Sequence, residues 1–152
     1  MAQLRRPRFY PPIYFLFALI GILILHYFFP VGRWLDWPWR AIGIVILATG
    51  FTLGLVAAGE FRRRETTITP FEQSRTLITD GPYRFTRNPL YLSMTLMLIG
   101  LALTLGTLSP LIVTPVFVWW ITTRFIVLEE RHLDEQFGSR YAAYKSQVRR
   151  WL

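Results

Sequence analysis

Residues 88–130 read NPLYLSMTLMLIGLALTLGTLSPLIVTPVFVWWITTRFIVLEE, and this stretch determines the predicted fold class. It contains two apolar runs, 90–108 and 111–128, and both are free of acidic residues. Each run is long enough to cross the hydrocarbon core of a bilayer, which takes about 17–25 helical residues. The connection at 106–109 carries no charge. These features predict a tight hairpin of two membrane-spanning helices.

Two earlier apolar runs without acidic residues, 13–29 and 41–58, predict two further spans. No small-residue cleavage site follows Phe29, so we expect the first run to persist as a helix and not to be removed as a signal peptide. In the second run, Gly50 and Gly54 form a small-xxx-small pair that allows two helix backbones to approach closely. The second helix is therefore expected to pack tightly against a neighbour.

Composition agrees with a membrane protein, because 53% of the residues are apolar and only 17% are charged, against about 25% charged in soluble domains. We predict one all-α integral membrane domain over 1–152. Its spans are 13–29, 41–58, 90–108 and 111–128, with an ordered loop at 59–89. Apolar residues recur at helical spacing after 128, which predicts an amphipathic interfacial helix over 129–152.

The distribution of basic residues predicts the orientation of these spans. Three basic residues precede the first span, six lie in the 59–89 loop and five follow residue 128, whereas the other two connections hold two and none. The positive-inside rule then places both termini and the long loop in the cytoplasm. This rule accounts for the net charge of +8, and the sequence lacks the aromatic-interleaved basic pattern of a nucleic-acid groove. We expect no nucleic-acid partner.

Several kinds of catalytic site are excluded by the residues that the chain lacks. It has no cysteine and only two histidines, so we expect no metal centre. No glycine-x-glycine occurs, which removes the dinucleotide fingerprint. The loop at 59–89 is longer than a connection between spans requires, and such loops are usually functional or disordered. Its threonines, isoleucines and aromatic residues favour an ordered lid or re-entrant loop.

Two places near the predicted cytoplasmic interface combine charge with apolar sequence. Arg87 and Asn88 precede the third span, where a helix N-terminus favours an anion such as carboxylate or phosphate. Alternatively, Asn88 only caps the helix and Arg87 only marks the membrane boundary. Arg124 lies within the fourth span and is followed by Glu129 and Glu130. An ionisable residue in a span is a candidate functional group, although an arginine near a helix end can also extend its charge to the interface.

Two blocks of this sequence resemble the isoprenylcysteine carboxyl methyltransferase family and the related phospholipid N-methyltransferases. The first block is Gly-Pro-Tyr-Arg-Phe-Thr-Arg-Asn-Pro-Leu-Tyr at 81–91. The second block contains Glu129-Glu130, Leu133, Phe137-Gly138, Tyr141, Tyr144, Val148 and Arg150. The resemblance covers the chain from Gly59 to its last residue. It implies a small helical membrane protein in which the last two spans, the loop and the tail enclose S-adenosylmethionine.

The resemblance also implies roles for particular residues. The expected cofactor contacts are Arg75, Thr76, Leu77, Ile78, Tyr83, Asn88, Pro89, Leu90, Tyr91 and Glu130. The expected catalytic residues are Arg87, Arg124 and Glu129, which would place the reacting groups. No metal is required, because the donor is already activated and the protein's task is placement of the acceptor with water excluded. The acceptor would be a lipid-like molecule, either a prenylcysteine-type carboxylate or a phospholipid amine.

The sequence departs from the family pattern at two positions. The family usually has histidine where this chain has Asn88, which can form hydrogen bonds but cannot act as a cation or a base. The prenylcysteine enzymes have a substrate arginine about one turn before the first glutamate, and Arg124 is one residue further away. Two other classes stay open: a non-catalytic lipid-binding or assembly protein, and a membrane reductase related to sterol reductases, for which 152 residues leave little room.

Overall fold

The computed structural model describes residues 9–33, 36–38, 40–64 and 76–152. The described residues form six α-helices: α1 (Pro11–Phe28), α2 (Arg40–Arg63), α3 (Pro89–Leu105), α4 (Val113–Ile121), α5 (Val127–Phe137) and α6 (Ser139–Gln147). Within these ranges the only β-type pairing is an isolated bridge between Arg33 and Thr107. The predicted all-α class is confirmed.

Three helical segments are long and apolar enough to cross a membrane, namely Pro11–Phe28, Arg40–Arg63 and Ser109–Phe137. The fourth apolar helix, α3, has 17 residues. The segment Ser109–Phe137 begins with a 3-10 turn at Ser109–Ile112, and a wide π-turn at Thr122–Ile126 joins α4 to α5. The helix therefore continues past residue 128, where the sequence suggested a boundary between the span and the tail.

The break in the C-terminal region comes at Gly138, whose φ of +50° is a conformation that residues with a Cβ rarely adopt. In place of one helix over 129–152, the structure has the end of α5, then α6, then a non-helical segment at 148–152. Tyr141 and Tyr144 of α6 are buried, as the predicted amphipathic pattern requires. The change of direction at Gly138 lets α6 pack back toward the ends of the spans.

Helices α2 and α3 pack backbone against backbone. A Cβ added at Gly43 would lie 2.5 Å from the amide nitrogen of Thr104, and one added at Gly50 would lie 2.8 Å from the carbonyl oxygen of Ser93. The close packing predicted for α2 is confirmed, and Gly100 of α3 contributes to it from the other side. These contacts run in opposite directions along the two helices, so α3 is antiparallel to α2 and lies beside it along most of its length.

The apolar core lies mainly between α1, α3 and the Ser109–Phe137 segment. Its buried residues are Ala18, Ile22, Tyr91, Leu98, Ala102, Phe117, Ile121, Phe125 and Ile126. A smaller cluster joins the end of α2 to the start of α3 and contains Ala57, Ile78 and Tyr83. At the opposite end of the bundle, Arg40 donates to the carbonyl oxygens of Thr104 and Leu105 at 2.6 and 3.0 Å. These bonds satisfy carbonyls that a helix end leaves unpaired.

Asn-Pro at 88–89 and Ser-Pro at 109–110 each predict a side-chain cap followed by a proline at the first position of a helix, and neither cap forms. Asn88 and Pro89 do occupy the first positions of α3, but the Asn88 side chain does not cap it. Its amide nitrogen instead donates to the carbonyl oxygen of Arg150 at 2.9 Å. Ser109 lies inside its 3-10 turn and donates to the carbonyl oxygen of Leu25 at 3.3 Å. In both cases a tertiary partner has replaced the local one.

Substitution by alanine is expected to have opposite effects on thermal stability at two glycines of α2, because only one of them lies against α3. Alanine at Gly50 would place its methyl within contact distance of α3 backbone, and overpacking typically costs about 1–3 kcal/mol. Alanine at Gly59 meets nothing within 4 Å and gains about 1 kcal/mol of helix propensity. We expect Gly50→Ala to lower the thermal unfolding midpoint in detergent and Gly59→Ala to keep or raise it. Equal midpoints for the two variants would contradict the packing described here.

Candidate functional site

Polar and charged side chains gather where α3 begins, at the same end of the bundle as the end of α2 and the helix α5. A 3-10 turn at Gly81–Arg84 leads into this region, and Gly81 has a φ of +58°. The turn lies against the end of α2: a Cβ at Gly81 would be 3.1 Å from Oε1 of Glu60, a buried carboxylate. Asp80, just before the turn, forms an ion pair with Arg64. The end of α2 therefore supports the turn that carries Tyr83.

Glu129 reaches α3 from α5. The hydroxyl of Tyr91 donates to Oε1 of Glu129 at 2.7 Å, and Tyr91 is itself buried in the core. This hydrogen bond fixes the direction of the Glu129 carboxylate. A hydrogen-bonded carboxylate near the helix start can hold a cationic group of a ligand.

Glu130, the next residue, is held between two guanidinium groups. Its Oε1 lies 3.1 Å from Nη2 of Arg87 and accepts from Nε of Arg150 at 3.0 Å. Its Oε2 accepts from Nη2 of Arg150 at 2.6 Å. A carboxylate shared by two arginines is an ion-pair network with one positive charge in excess, and a charge held away from water is costly unless an opposite charge meets it.

Arg87 keeps hydrogen-bonding capacity after this pairing. Its Nε and Nη1 atoms are buried and have no hydrogen-bond partner in the described part of the chain. Buried polar atoms are nearly always satisfied in proteins, so two unsatisfied donors on one guanidinium require an explanation. Nε–H and the Nη1 hydrogens lie on different edges of the guanidinium, and each can donate a charge-assisted hydrogen bond to an anionic oxygen. Arg87 could therefore receive an anionic group.

The C-terminal residues lie against the same region. Thr86 and Asn88 both donate to the carbonyl oxygen of Arg150, at 3.1 and 2.9 Å. The backbone N–H of Arg87 donates to the carbonyl oxygen of Arg149 at 3.0 Å. The tail thus pairs with three consecutive residues, 86–88, that precede α3.

The tyrosines around this region are neutral over a wide pH range. Burial raises the pKa of Tyr83 well above its ordinary value, and nearby Tyr144, Glu129 and Glu60 raise it further. Burial also raises the pKa of Tyr141 to about 12, with Glu130 adding to the shift and Arg87 opposing it. Tyr144 uses its hydroxyl to donate to the carbonyl oxygen of Tyr83 at 2.6 Å. The raised pKa values of Tyr83 and Tyr141 make these hydroxyls poor candidates for a catalytic base.

Most of the predicted site residues lie in this region, but not all point to a common centre. Arg87 meets Glu130, and Tyr91 meets Glu129. Pro89 and Ile78 are buried, Leu90 packs against the Tyr83 cluster and Leu77 is partly buried, whereas Thr76 is exposed. Arg75 lies outside the described residues. Arg124 is exposed, and its Cζ lies 5.1 Å from the centre of the Trp120 ring.

Sequence reasoning missed three residues that help to build the site. Glu60 is the one acidic residue in α2. An acidic residue beside Gly59, at the end of an apolar helix, could have identified it as a candidate site residue. Thr86 and Arg150 were not assigned roles, because their contacts join residues that are 64 positions apart. The π-turn before Glu129 was not predicted either, although consecutive Thr122 and Thr123 in an apolar helix favour hydrogen bonds from side chain to backbone.

The fold and this cluster fit a known class of membrane protein. A family model described as phospholipid methyltransferase matches residues 39–140. Because the match covers more than half of the chain, the protein belongs to the phospholipid methyltransferase family. The predicted resemblance to isoprenylcysteine carboxyl methyltransferases is also confirmed, by a sequence relative and by a solved structure.

An uncharacterized protein of Haemophilus influenzae is 38% identical over 63 residues, which are 41% of this chain and all of that protein. The protein-S-isoprenylcysteine O-methyltransferase of Schizosaccharomyces pombe is 29% identical over 72 residues, which are 47% of this chain and 30% of that enzyme. A solved structure of the eukaryotic intramembrane Ras methyltransferase, an isoprenylcysteine carboxyl methyltransferase, matches with a TM-score of 0.64 and 25% identity. That match covers 93% of this chain and 51% of the solved chain. This chain is therefore about half the length of the structure that it resembles.

Proposed function

We propose that this protein transfers a methyl group from S-adenosylmethionine to a lipid-like acceptor at the cytoplasmic membrane interface. The observation that carries the proposal is the juxtaposition, at the start of α3, of a guanidinium with unsatisfied donors and a fixed carboxylate. Membership of a family of membrane methyltransferases supports it. Both features come from the two sequence blocks that carry the family resemblance.

The donor set fits the charges of S-adenosylmethionine. The amino-acid end of that molecule has a carboxylate, and Arg87 has two buried N–H donors without an acceptor. It also has ammonium and sulfonium cations, and Glu129 is a carboxylate held in place by Tyr91. Asn88 would support the site by holding the tail, because its side-chain nitrogen donates to the carbonyl oxygen of Arg150. Pro89, Leu90 and Tyr83 would supply apolar walls.

When bound, S-adenosylmethionine supplies a methyl group that is already activated for displacement. The residues of this chain then have to bind and orient the cofactor and the acceptor and to exclude water. They need not form a covalent bond. Arg87 would hold the carboxylate, and Glu129 would hold the cationic part so that the methyl group faces the acceptor. Tyr83 and Tyr91 would limit the access of water by their bulk.

The acceptor is proposed to be an amphipathic lipid. The cluster lies at the ends of apolar helices, so the apolar part of a substrate can stay in the bilayer while its polar head reaches the site. The relatives' names cover two acceptor classes, phospholipids and prenylated cysteine. A prenylcysteine-type carboxylate and a phospholipid amine are both compatible with the charges present.

Loss of the Glu129 carboxylate is expected to weaken cofactor binding. We expect Glu129→Gln to weaken equilibrium binding of labelled S-adenosylmethionine to the purified protein by about tenfold or more, which corresponds to at least about 1.4 kcal/mol. Glu135→Gln is the matched control, because Glu135 is an exposed carboxylate on the same helix, and its binding should equal that of the wild type.

The same measurement separates the rival classes. A non-catalytic lipid-binding protein would show no saturable binding of S-adenosylmethionine while still folded, as judged by its helical circular dichroism. A reductase would bind NADPH in preference. Saturable binding that both glutamine variants leave unchanged would place the cofactor elsewhere and remove Glu129 from the proposed site.

The proposed cytoplasmic orientation can be tested with single cysteines, because the chain has none of its own. Asp36 and Ser139 are both exposed and lie at opposite ends of the bundle. An impermeant thiol reagent added to intact cells should label Asp36→Cys and leave Ser139→Cys unlabelled until the cells are opened. The reverse pattern would place the cluster on the outer side, away from the cytosolic cofactor.

Arg124 offers a test of the acceptor half of the site. If it positions the polar head of the acceptor, Arg124→Lys should lower kcat/KM by about 10–100-fold, or about 1.4–2.8 kcal/mol, with cofactor affinity unchanged. The assay requires an acceptor, found first by screening lipid extracts with methyl-labelled cofactor. Full activity of the lysine variant would show that Arg124 only rests on Trp120 at the interface, since lysine can also extend a charge to water.

A further inference from the structure

The segment 148–152 follows α6 and is fixed in place from two sides. Residues 86–88 give it three hydrogen bonds, two to the carbonyl oxygen of Arg150 and one to that of Arg149. Trp151 packs against the main core cluster. Arg150 is therefore held with its backbone against the start of α3, so the direction of its side chain is restricted.

The Arg150 side chain makes a two-pronged contact with Glu130. Nε donates to Oε1 at 3.0 Å and Nη2 donates to Oε2 at 2.6 Å. Hydrogen bonds to the Glu130 carboxylate raise the pKa of Arg150 above its ordinary value, so the guanidinium stays charged. Both oxygens of Glu130 are thus engaged by the tail arginine.

This engagement limits how Glu130 can interact with Arg87. Arg87 contacts only Oε1, through Nη2 at 3.1 Å, and its Nε and Nη1 keep no partner in the described ranges. A carboxylate without Arg150 could instead pair with Arg87 through two parallel hydrogen bonds, which is the preferred geometry of such pairs. That pairing would use a second N–H donor of Arg87, which would then not be free for a ligand.

We propose that Arg150 is a positioning residue for the cofactor site. It occupies Glu130, and so it keeps the remaining N–H donors of Arg87 available for the carboxylate of the bound ligand. Arg150 itself does not touch the ligand, and its effect passes through Glu130 and Arg87. The proposal rests on the proposed function, because it assigns the anion at Arg87 to the amino-acid end of S-adenosylmethionine.

The test compares two probes that differ only by that carboxylate, S-adenosylmethionine and decarboxylated S-adenosylmethionine. We expect Arg150→Gln to weaken binding of the first by about tenfold, the scale of one charge-assisted hydrogen bond. Binding of the decarboxylated probe should stay within about twofold of the wild type. Arg149→Gln is the control, since Arg149 is exposed and its backbone contact would remain; it should bind both probes normally.

A double-mutant cycle tests the route through Glu130. In a Glu130→Gln background, Arg150→Gln should cause no further change in the affinity for S-adenosylmethionine. An equal loss of affinity for both probes, together with a lower thermal unfolding midpoint, would mean that Arg150 only supports the fold and would overturn the proposal. Unchanged affinity for S-adenosylmethionine would overturn it as well. Absence of saturable binding by the wild-type protein would instead overturn the proposed function.

Discussion

The sharing of the Glu130 carboxylate between Arg87 and Arg150 is the interaction on which the arrangement of the site depends. Transfer of a charge out of water is costly unless an opposite charge meets it. Glu130 comes from α5, Arg87 precedes α3 and Arg150 belongs to the tail, so matching these charges brings three distant segments together. Removal of Glu130 would leave the partly buried Arg87 guanidinium without its ion-pair partner. The network therefore holds these three segments together and also fixes the orientation of the Glu130 carboxylate.

The glycine contact between α2 and α3 provides the second restraint. Because Gly43 and Gly50 bring the two backbones together, the end of α2 has a fixed position relative to the start of α3. Glu60 then supports the turn at Gly81, and this turn carries Tyr83. Apolar side chains alone could not fix this register in a bilayer, where lipid tails are as apolar as leucine. The cluster is thus assembled on a rigid pair of helices.

The sequence predicted well what depends on local pattern. Hydropathy located all four apolar helices, and the Gly50–Gly54 spacing predicted the close helix contact, because both signals reside within one segment. Prediction from the sequence failed where distant residues compete with local ones for the same hydrogen bond. Asn88 was expected to cap α3, yet its side chain donates to the carbonyl oxygen of Arg150, which is 62 positions away. The positions of Glu129 and Glu130 on the helix could not be derived either, because a π-turn precedes them. The cofactor, the acceptor and the orientation stay predictions, since they concern molecules and compartments outside the chain.

The π-turn at Thr122–Ile126 makes the length of the last span as important as its composition. Each residue of a regular helix turns the chain by about 100°, so insertion or deletion of one residue between α4 and α5 would rotate Glu129 and Glu130 away from Tyr91 and Arg87. Wide turns of this kind often derive from a single inserted residue and cluster at functional sites. One apolar side chain of this span can be exchanged for another without moving the site, but the geometry fixes the number of residues between Trp120 and Glu129.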